Sequence, residues 1–572
     1  MKLLKYIKEY RFSAIIGFVF KIAEAALELM VPLVMADIID IGIKTNDKNY
    51  ILMKGLTLVG LAIAGYLFAL VCQYYASVTS QGVGTKLRED MYHQINRYDH
   101  RNLDKLSAPT LVTRLVNDVV QIQLAIAMTI RLTSRAPFIM IGSLVLAFFI
   151  SGPLASIFII GAVILAVIML AITVVSMPYF NNIQKKLDRI SLIVRENLNG
   201  IRVIRAFASQ NKEINKFKSQ TKEQKDIQVK VGRIQALLNP FTYLIVNIAI
   251  VLIIYFGGRE VNVGGLSQGE IIALVNYMNS ILLALIVFAN VLSIYNKAGA
   301  SYTRIFKVLE TEPKVKDLGK IETWHSSENC IEFRNVNFAY NQKNILHNLS
   351  FIIKKGETIG IIGGTGAGKS SLVNLINRFY DTVSGEILIN DQPIKEYDLH
   401  SLREDIGFVP QYASLISGTI RENIQLGNQQ ASDEELMNAL KIAQGKELVE
   451  DKIAGLDTII EQGGKNLSGG QKQRLTIARA LVKKPQILIL DDSSSALDYG
   501  TDYQLRQELK KLDITKIIIS QRTSSIEQAD KIIVLYHGEI VGFDKHEQLM
   551  KDCQIYQEIY ASQHSKDGDS HE

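Results

Sequence analysis

Cysteine is scarce in this sequence: Cys72, Cys330 and Cys553 are the three present in 572 residues. They lie far apart and none stands in a C-x-x-C spacing, so neither a disulfide framework nor a zinc site is indicated. Charge of one sign is also in short supply. Lys and Arg number 63 against 57 Asp and Glu, a formal net charge of +6. No basic stripe with interleaved aromatics marks a nucleic-acid surface. The opening MKLLKYIKEYRF carries no cleavable signal pattern, and the apolar stretch after it is too long for a signal h-region. What remains is a chain too long for one ordinary domain, with two unlike halves. Residues before about Thr311 hold long apolar runs; those after it read as a soluble α/β domain.

A bilayer crossing needs ~20 predominantly apolar residues. Six segments are long enough, near 12–41, 51–77, 125–150, 154–177, 237–256 and 271–294. Lys2, Lys5, Lys8 and Arg11 place the N-terminus in the cytoplasm by the positive-inside rule. Six crossings then return the C-terminal half to the same side, where ATP is. The connectors after spans one, three and five are short (46–48, 151–153, 257–265), whereas 81–124 and 178–235 are long, polar and helical in pattern. These long stretches read as helices that continue into the cytoplasm and turn at tips near 101–109 and 206–212, natural contacts for an ATP domain. Ionisable groups within spans are functional candidates. Lys21, Glu24 and Glu28 share one helix face, as do Arg131 and Arg135. They read equally as ion pairs that fix packing or as the lining of a wet cavity, and Asn276 and Asn279 stay open in the same way.

The soluble half is organised around Gly363-Gly364-Thr365-Gly366-Ala367-Gly368-Lys369-Ser370, a G-x-x-x-x-G-K-S pattern. It lies between an apolar strand-like run and a helix-like run that opens at Ser371, the context of a phosphate-binding loop. Its glycines let successive N–H groups point at one anion, and the helix N-terminus adds its positive dipole end. Lys369 reaches the β- and γ-phosphates, and the Ser370 hydroxyl can ligate Mg²⁺. Tyr340 precedes the loop where a ring could stack on adenine. Gln411 offers a neutral oxygen to Mg²⁺. A buried strand pattern, Ile487 to Leu490, delivers Asp491 to the metal, as phosphoryl transfer requires. Leu467-Ser468-Gly469-Gly470-Gln471 opens a second helix with a second anion-binding surface. One triphosphate does not need both surfaces on one chain. Two chains facing head to tail do, so the motif set implies a dimer.

The phosphate loop, Gln411, LSGGQ, the Asp491 strand and Ser495-Ala496-Leu497-Asp498 stand in the order and spacing of the ABC exporter family, and the chain resembles one of its half-transporters over nearly its whole length. The stretches 111–119 and 196–207 resemble that family's segments around its two coupling helices. The resemblance implies a six-helix transmembrane domain at 1–310, a linker at 311–327, an α/β P-loop ATP-binding domain at 328–560 and a disordered tail at 561–572. It also implies ATP and Mg²⁺ as cofactors, membrane lipids as surroundings and a bacterial cell membrane as location. Two departures bear on hydrolysis. Asp492 stands where the family usually has the glutamate that polarises the attacking water, and Gln521 stands where it usually has histidine. Aspartate is one methylene shorter, and ~1 Å of misplacement at a reacting centre can cost about 100-fold. Gln521 can hydrogen-bond to a γ-phosphate but cannot become an imidazolium. The intact LSGGQ serves the partner's loop. The pattern therefore resembles the degenerate-site subunit of heterodimeric multidrug exporters, whose partner would carry the missing glutamate and histidine and whose cargo is amphipathic. A homodimeric lipid or peptide exporter, an ATP-gated channel and an importer are the rival expectations. No peptidase segment precedes the first span, so leader-peptide processing is not expected.

Overall fold

A computed structural model describes residues 2–317, 319–324, 327–340 and 343–564. Two compact units divide the chain. One holds the residues through Asn96 together with Ser107–Thr311. The other holds Arg97–Leu106 together with the chain from Glu312 onward.

The first unit is helical. Among the described residues five helices are long and apolar enough to cross a membrane: Lys48–Asn96, Ala108–Ile150, Gly152–Asn199, Gln210–Asn262 and Gln268–Phe288. The first expected span is helical over Arg11–Asp37 and π-helical over Ile38–Ile43, but Lys21, Glu24 and Glu28 put it outside that set. Its Pro32 sits inside the helix, as happens in membrane helices whose neighbours compensate. Lys48–Asn96 and Gly152–Asn199 each run unbroken for 49 and 48 residues. At 1.5 Å per residue each is about 70 Å long, more than twice the hydrocarbon thickness. The expected cytoplasmic extensions are thus continuous with the spans. Exposed Leu56, Phe149, Leu170 and Val251 form the apolar exterior that lipid requires.

Polar contacts inside this unit are specific. Lys21 Nζ meets both Glu24 oxygens at 2.8 Å. Arg135 donates to Glu28 at 2.8 and 2.6 Å, beside a cavity of about 70 Å³ that Leu132, Ile139 and Ser280 also line. Arg131 donates to Ser77 Oγ at 2.6 Å, and Asn276 to the Ile272 carbonyl at 2.9 Å. Asp40 accepts from the Gly269 N–H at 2.8 Å, which fixes the start of the last helix. Arg304 forks onto Asp118 at 2.8 and 2.5 Å, with Ser301 completing the acceptor's contacts at 2.9 Å. Such a two-pronged pair is geometrically selective.

In the second unit, a six-stranded sheet runs in the order Glu539–Asp544, Lys531–Tyr536, Thr358–Gly363, Thr515–Ile519, Ile487–Asp491, Ile406–Val409. All neighbours are parallel except at the Glu539–Asp544 edge. The central strands read as continuous Ile/Leu runs because helices cover both faces. A four-stranded antiparallel sheet (Lys343–Lys354, Asn329–Tyr340, Ser384–Ile389, Gln392–Pro393) shares the core through Phe333, Phe338, Leu372 and Ile376. The short helix His100–Leu106 belongs here. His100 packs on Phe379 at 4.2 Å, Tyr380 Oη donates to Asp104 at 2.6 Å, and Asp99 accepts from the Lys314 and Val315 N–H groups. The helix Gln554–His564 runs into the segment expected to be a disordered tail, and 561–564 are helical instead. The reason is physical: Gln563 is hydrogen-bonded, as described below. Residues 565–572, the rest of that expected tail, lie outside the described residues. The three cysteines are free and buried.

Candidate ATP-binding site

Parallel strands deliver the site at their carboxyl ends, where ligands bind in open α/β sheets. Gly363 ends one strand, Ile519 its neighbour and Asp491 the next; Ile519 and Asp491 are register partners. Gln411 follows the strand Ile406–Val409. Backbone geometry after Gly363 needs glycine. Gly366 and Gly368 hold φ of 82° and 101°, a region that L-residues rarely enter, and Gly368 caps the helix Lys369–Ile376.

These elements enclose a cleft of about 280 Å³ lined by Tyr340, residues 365–371, Gln411, Asp491, Asp492 and Gln521. Lys369 Nζ donates to the Gly363 and Gly364 carbonyls at 2.8 and 3.0 Å. Burial pulls its ammonium below the usual lysine range, while Asp492 and Asp491 oppose that shift. A partly desolvated cation beside a glycine-rich loop at a helix N-terminus is a fit for phosphate. Ser370 Oγ donates to Asp491 Oδ1 at 3.1 Å. Burial raises the Asp491 carboxyl above the ordinary carboxylate range, and the Ser370 hydroxyl works the other way. Among the described residues no group of three His, Cys, Asp or Glu could hold a metal ion. Ser370, Gln411 and Asp491 suit a cation that keeps waters and takes phosphate oxygens, which is how Mg²⁺ binds.

Asp492 departs from the sheet with φ of 49°. Its Oδ2 accepts from Gln521 Nε2 at 3.1 Å and from Gln411 Nε2 at 3.3 Å, so the two unusual positions meet on one oxygen. Tyr340 does line the cleft, but its ring is packed edge-on against Tyr380 at 5.1 Å and Phe338 at 4.8 Å. The Ser371 hydroxyl reaches its Oη at 3.4 Å. Ile345 and Ile519 also line the cleft; no sequence signal marks them, because an isoleucine in a strand reads as core. Leu467 to Gln471 are not among the lining residues. Ser468 and Gln471 instead form a reciprocal cap on the helix Gly469–Leu481, and Ser468 and Gly469 are exposed.

Comparison with known proteins agrees with this geometry. Residues 14–286 match the family model described as the ABC transporter transmembrane region, and residues 346–495 match the one described as ABC transporter. YfiB of Bacillus subtilis (strain 168), described as an uncharacterized ABC transporter ATP-binding protein, is 36% identical over 99% of this chain and 99% of its own length. A putative export ATP-binding/permease protein of Rickettsia felis is 33% identical over 98% of each chain. The solved structure of a bacterial Atm1-family ABC exporter with ATP bound shares the fold, with a TM-score of 0.83, 24% identity, and coverage of 97% of this chain and 99% of that one.

Proposed function

The chain belongs to the ABC transporter family, as a half-transporter that fuses a membrane region to an ATPase domain for coupled export, and we propose that it is one half of a heterodimeric exporter of amphipathic small molecules. In this reading Arg11–Asp37 is a sixth span that tolerates its charges because Lys21 pairs with Glu24 and Glu28 with Arg135. The basic residues at 2, 5, 8 and 11 keep both termini on the cytoplasmic face of a bacterial cell membrane. The membrane domain then spans 1–310 and the ATP-binding domain 328–560.

One observation carries the asymmetric reading. Apart from Gly363 and Gly364, whose carbonyls accept from Lys369, the residues expected to bind ATP and Mg²⁺ line one cleft, while the carboxylate at 492 is short and is held by two neutral amides. Lys369 and the loop N–H groups bind phosphate, Ser370 and Asp491 hold the metal, and Tyr340 borders the base. ATP supplies the free energy through its terminal phosphoanhydride. Gln521 orients the γ-phosphate without offering a titrating group, so nucleotide stays bound and turns over slowly at this site. Ser468, Gly469 and Gly470 complete the site on a second half-transporter that has glutamate and histidine at the equivalent positions. Its hydrolysis resets the pump.

The test is the mass of the intact complex extracted in mild detergent from its native membrane. A one-to-one complex with a second half-transporter bearing that glutamate and histidine is the expected result. Two identical chains would overturn the division of labour and favour a homodimeric lipid or peptide exporter. Failure of vesicles to accumulate an amphipathic dye despite intact ATPase would favour an ATP-gated channel.

A further inference from the structure

The loop after Ile519 carries Gln521 into the cleft, and it is gripped from two sides. On one side Arg506 donates through Nη1 to the Ser524 carbonyl at 2.5 Å and pairs through Nη2 with Asp502 at 2.6 Å. On the other the helix Gln554–His564 presents Gln563. Its Nε2 donates to the Gln521 carbonyl at 2.7 Å. Its Oε1 accepts from the Thr523 N–H at 2.8 Å and from the Thr523 hydroxyl at 3.0 Å. Both ends of one amide are committed to one loop. The helix that carries it has a fixed base. Tyr556 is fully buried among Ile526, Ile532, Val534 and Leu549, and its hydroxyl meets His546 Nδ1 at 2.8 Å.

We propose that Gln563 is a positioning residue of the ATP site: it holds the Gln521 backbone so that the Gln521 amide faces the γ-phosphate position, and so couples nucleotide state to the C-terminal helix. The chain of contacts runs from Gln563 through Gln521 to Asp492 and Gln411. Only an amide serves at 563. A carboxylate keeps the acceptor for Thr523 but loses the donor and sets a negative charge against the Gln521 carbonyl. Coupling of this kind is reciprocal. A γ-phosphate that engages Gln521 steadies the helix, and a seated helix favours ATP over ADP. The inference rests on the assignment of Gln521 to the γ-phosphate.

The experiment measures Mg–ATP and Mg–ADP affinities of the full-length chain in nanodiscs, with hydrogen exchange over 554–564. A hydrogen bond in a partly exposed setting is worth a shift of about 2- to 10-fold. Gln563→Ala is expected to lower the ATP-to-ADP affinity ratio by about 3- to 10-fold, with ADP affinity unchanged. Gln563→Glu lowers it likewise. In a Gln521→Ala background Gln563→Ala adds nothing, because the two act as one unit. In the unmodified chain ATP, but not ADP, slows exchange in the C-terminal helix, and Gln563→Ala abolishes that difference. If Gln521→Ala lowers the ratio and Gln563→Ala does not, the coupling is refuted while the reading of the cleft stands. Full additivity of the two substitutions refutes it as well. If Gln521→Ala leaves the ratio unchanged, both the coupling and the γ-phosphate assignment fail.

Discussion

Replacing Gly469 by alanine separates what the signature does for its own chain from what it does for another. Gly469 is the first residue of the helix Gly469–Leu481, next to the capping Ser468. A Cβ built there meets nothing within 4 Å, and its backbone is not in the left-handed region. Its own chain therefore gives no reason for glycine. Alanine is about 1 kcal/mol more favourable than glycine in a helix interior, and less so at an end. Stability should hold or rise, by at most about 2–4 °C in Tm for a unit of this size. If the helix N-terminus faces the phosphates of a nucleotide held by the partner, the added methyl keeps those phosphates off the N–H groups. Misplacement by ~1 Å can cost about 100-fold, so ATPase of the assembled exporter should fall by about two orders of magnitude. Gly470→Ala is the contrasting control, because its Cβ would come within 3.1 Å of the Ala496 carbonyl. It should lower both activity and Tm. The assays are phosphate release by the purified complex and thermal unfolding of the same preparation. Unchanged phosphate release in Gly469→Ala would refute the claim that this surface meets a nucleotide. A Tm drop beyond about 4 °C would show that the chain itself needs the glycine.

Three further outcomes are expected. Asp492→Glu alone should change own-site turnover less than about 3-fold, whereas Asp492→Glu with Gln521→His should raise it by more than 10-fold, since acid–base placement is worth about 10²–10⁴-fold only when complete; single-turnover hydrolysis with the partner's site inactivated measures this, and equal gains from the single and double variants would sink the idea. Burial, with Arg403 adding to it, holds the His100 imidazole below the usual histidine range. The unfolded chain therefore takes up the proton first, so stability at neutral pH should be lost as pH falls from about 6.5 toward the lowered folded value. His100→Phe should flatten that slope in urea titrations across this window, and an unchanged slope would count against the buried placement. Because the Asp491 carboxyl is raised, Mg–ATP binding should weaken on acidification at a pH above the ~3.9 of an ordinary aspartate. Asp491→Asn should remove that acid limb along with most of the Mg²⁺ dependence, as read by nucleotide binding at fixed ionic strength.

The parts of the molecule legible in its sequence are those where chemistry and backbone geometry restrict the residue. Gly366 and Gly368 at positive φ, a lysine inside the loop and an aspartate ending a run of four apolar residues leave few other readings. The cleft brings these together. The membrane helices were visible as apolar length, and the unbroken run of Lys48–Asn96 extends that length into polar sequence. What stayed hidden is of a different kind. The Lys21–Glu24 pair follows from its i, i+3 spacing, but the partner of Arg135 does not; only the packing of the two helices brings Glu28 to it. Gln563 is an ordinary polar residue near the end of an amphipathic helix, 42 positions from the carbonyl it contacts. Nothing in its neighbours marks it, because an amide acquires a role only from the donor and acceptor set opposite it. The same reasoning explains why the Asp492 and Gln521 departures could be read at once while their consequence could not. Each was visible as a changed side chain, yet the fact that both converge with Gln411 on a single carboxylate oxygen is a property of three strand ends brought side by side. In the asymmetric reading proposed above, slow turnover resides in that shared hydrogen-bond acceptor, so Asp492 and Gln521 would have to change together to restore hydrolysis.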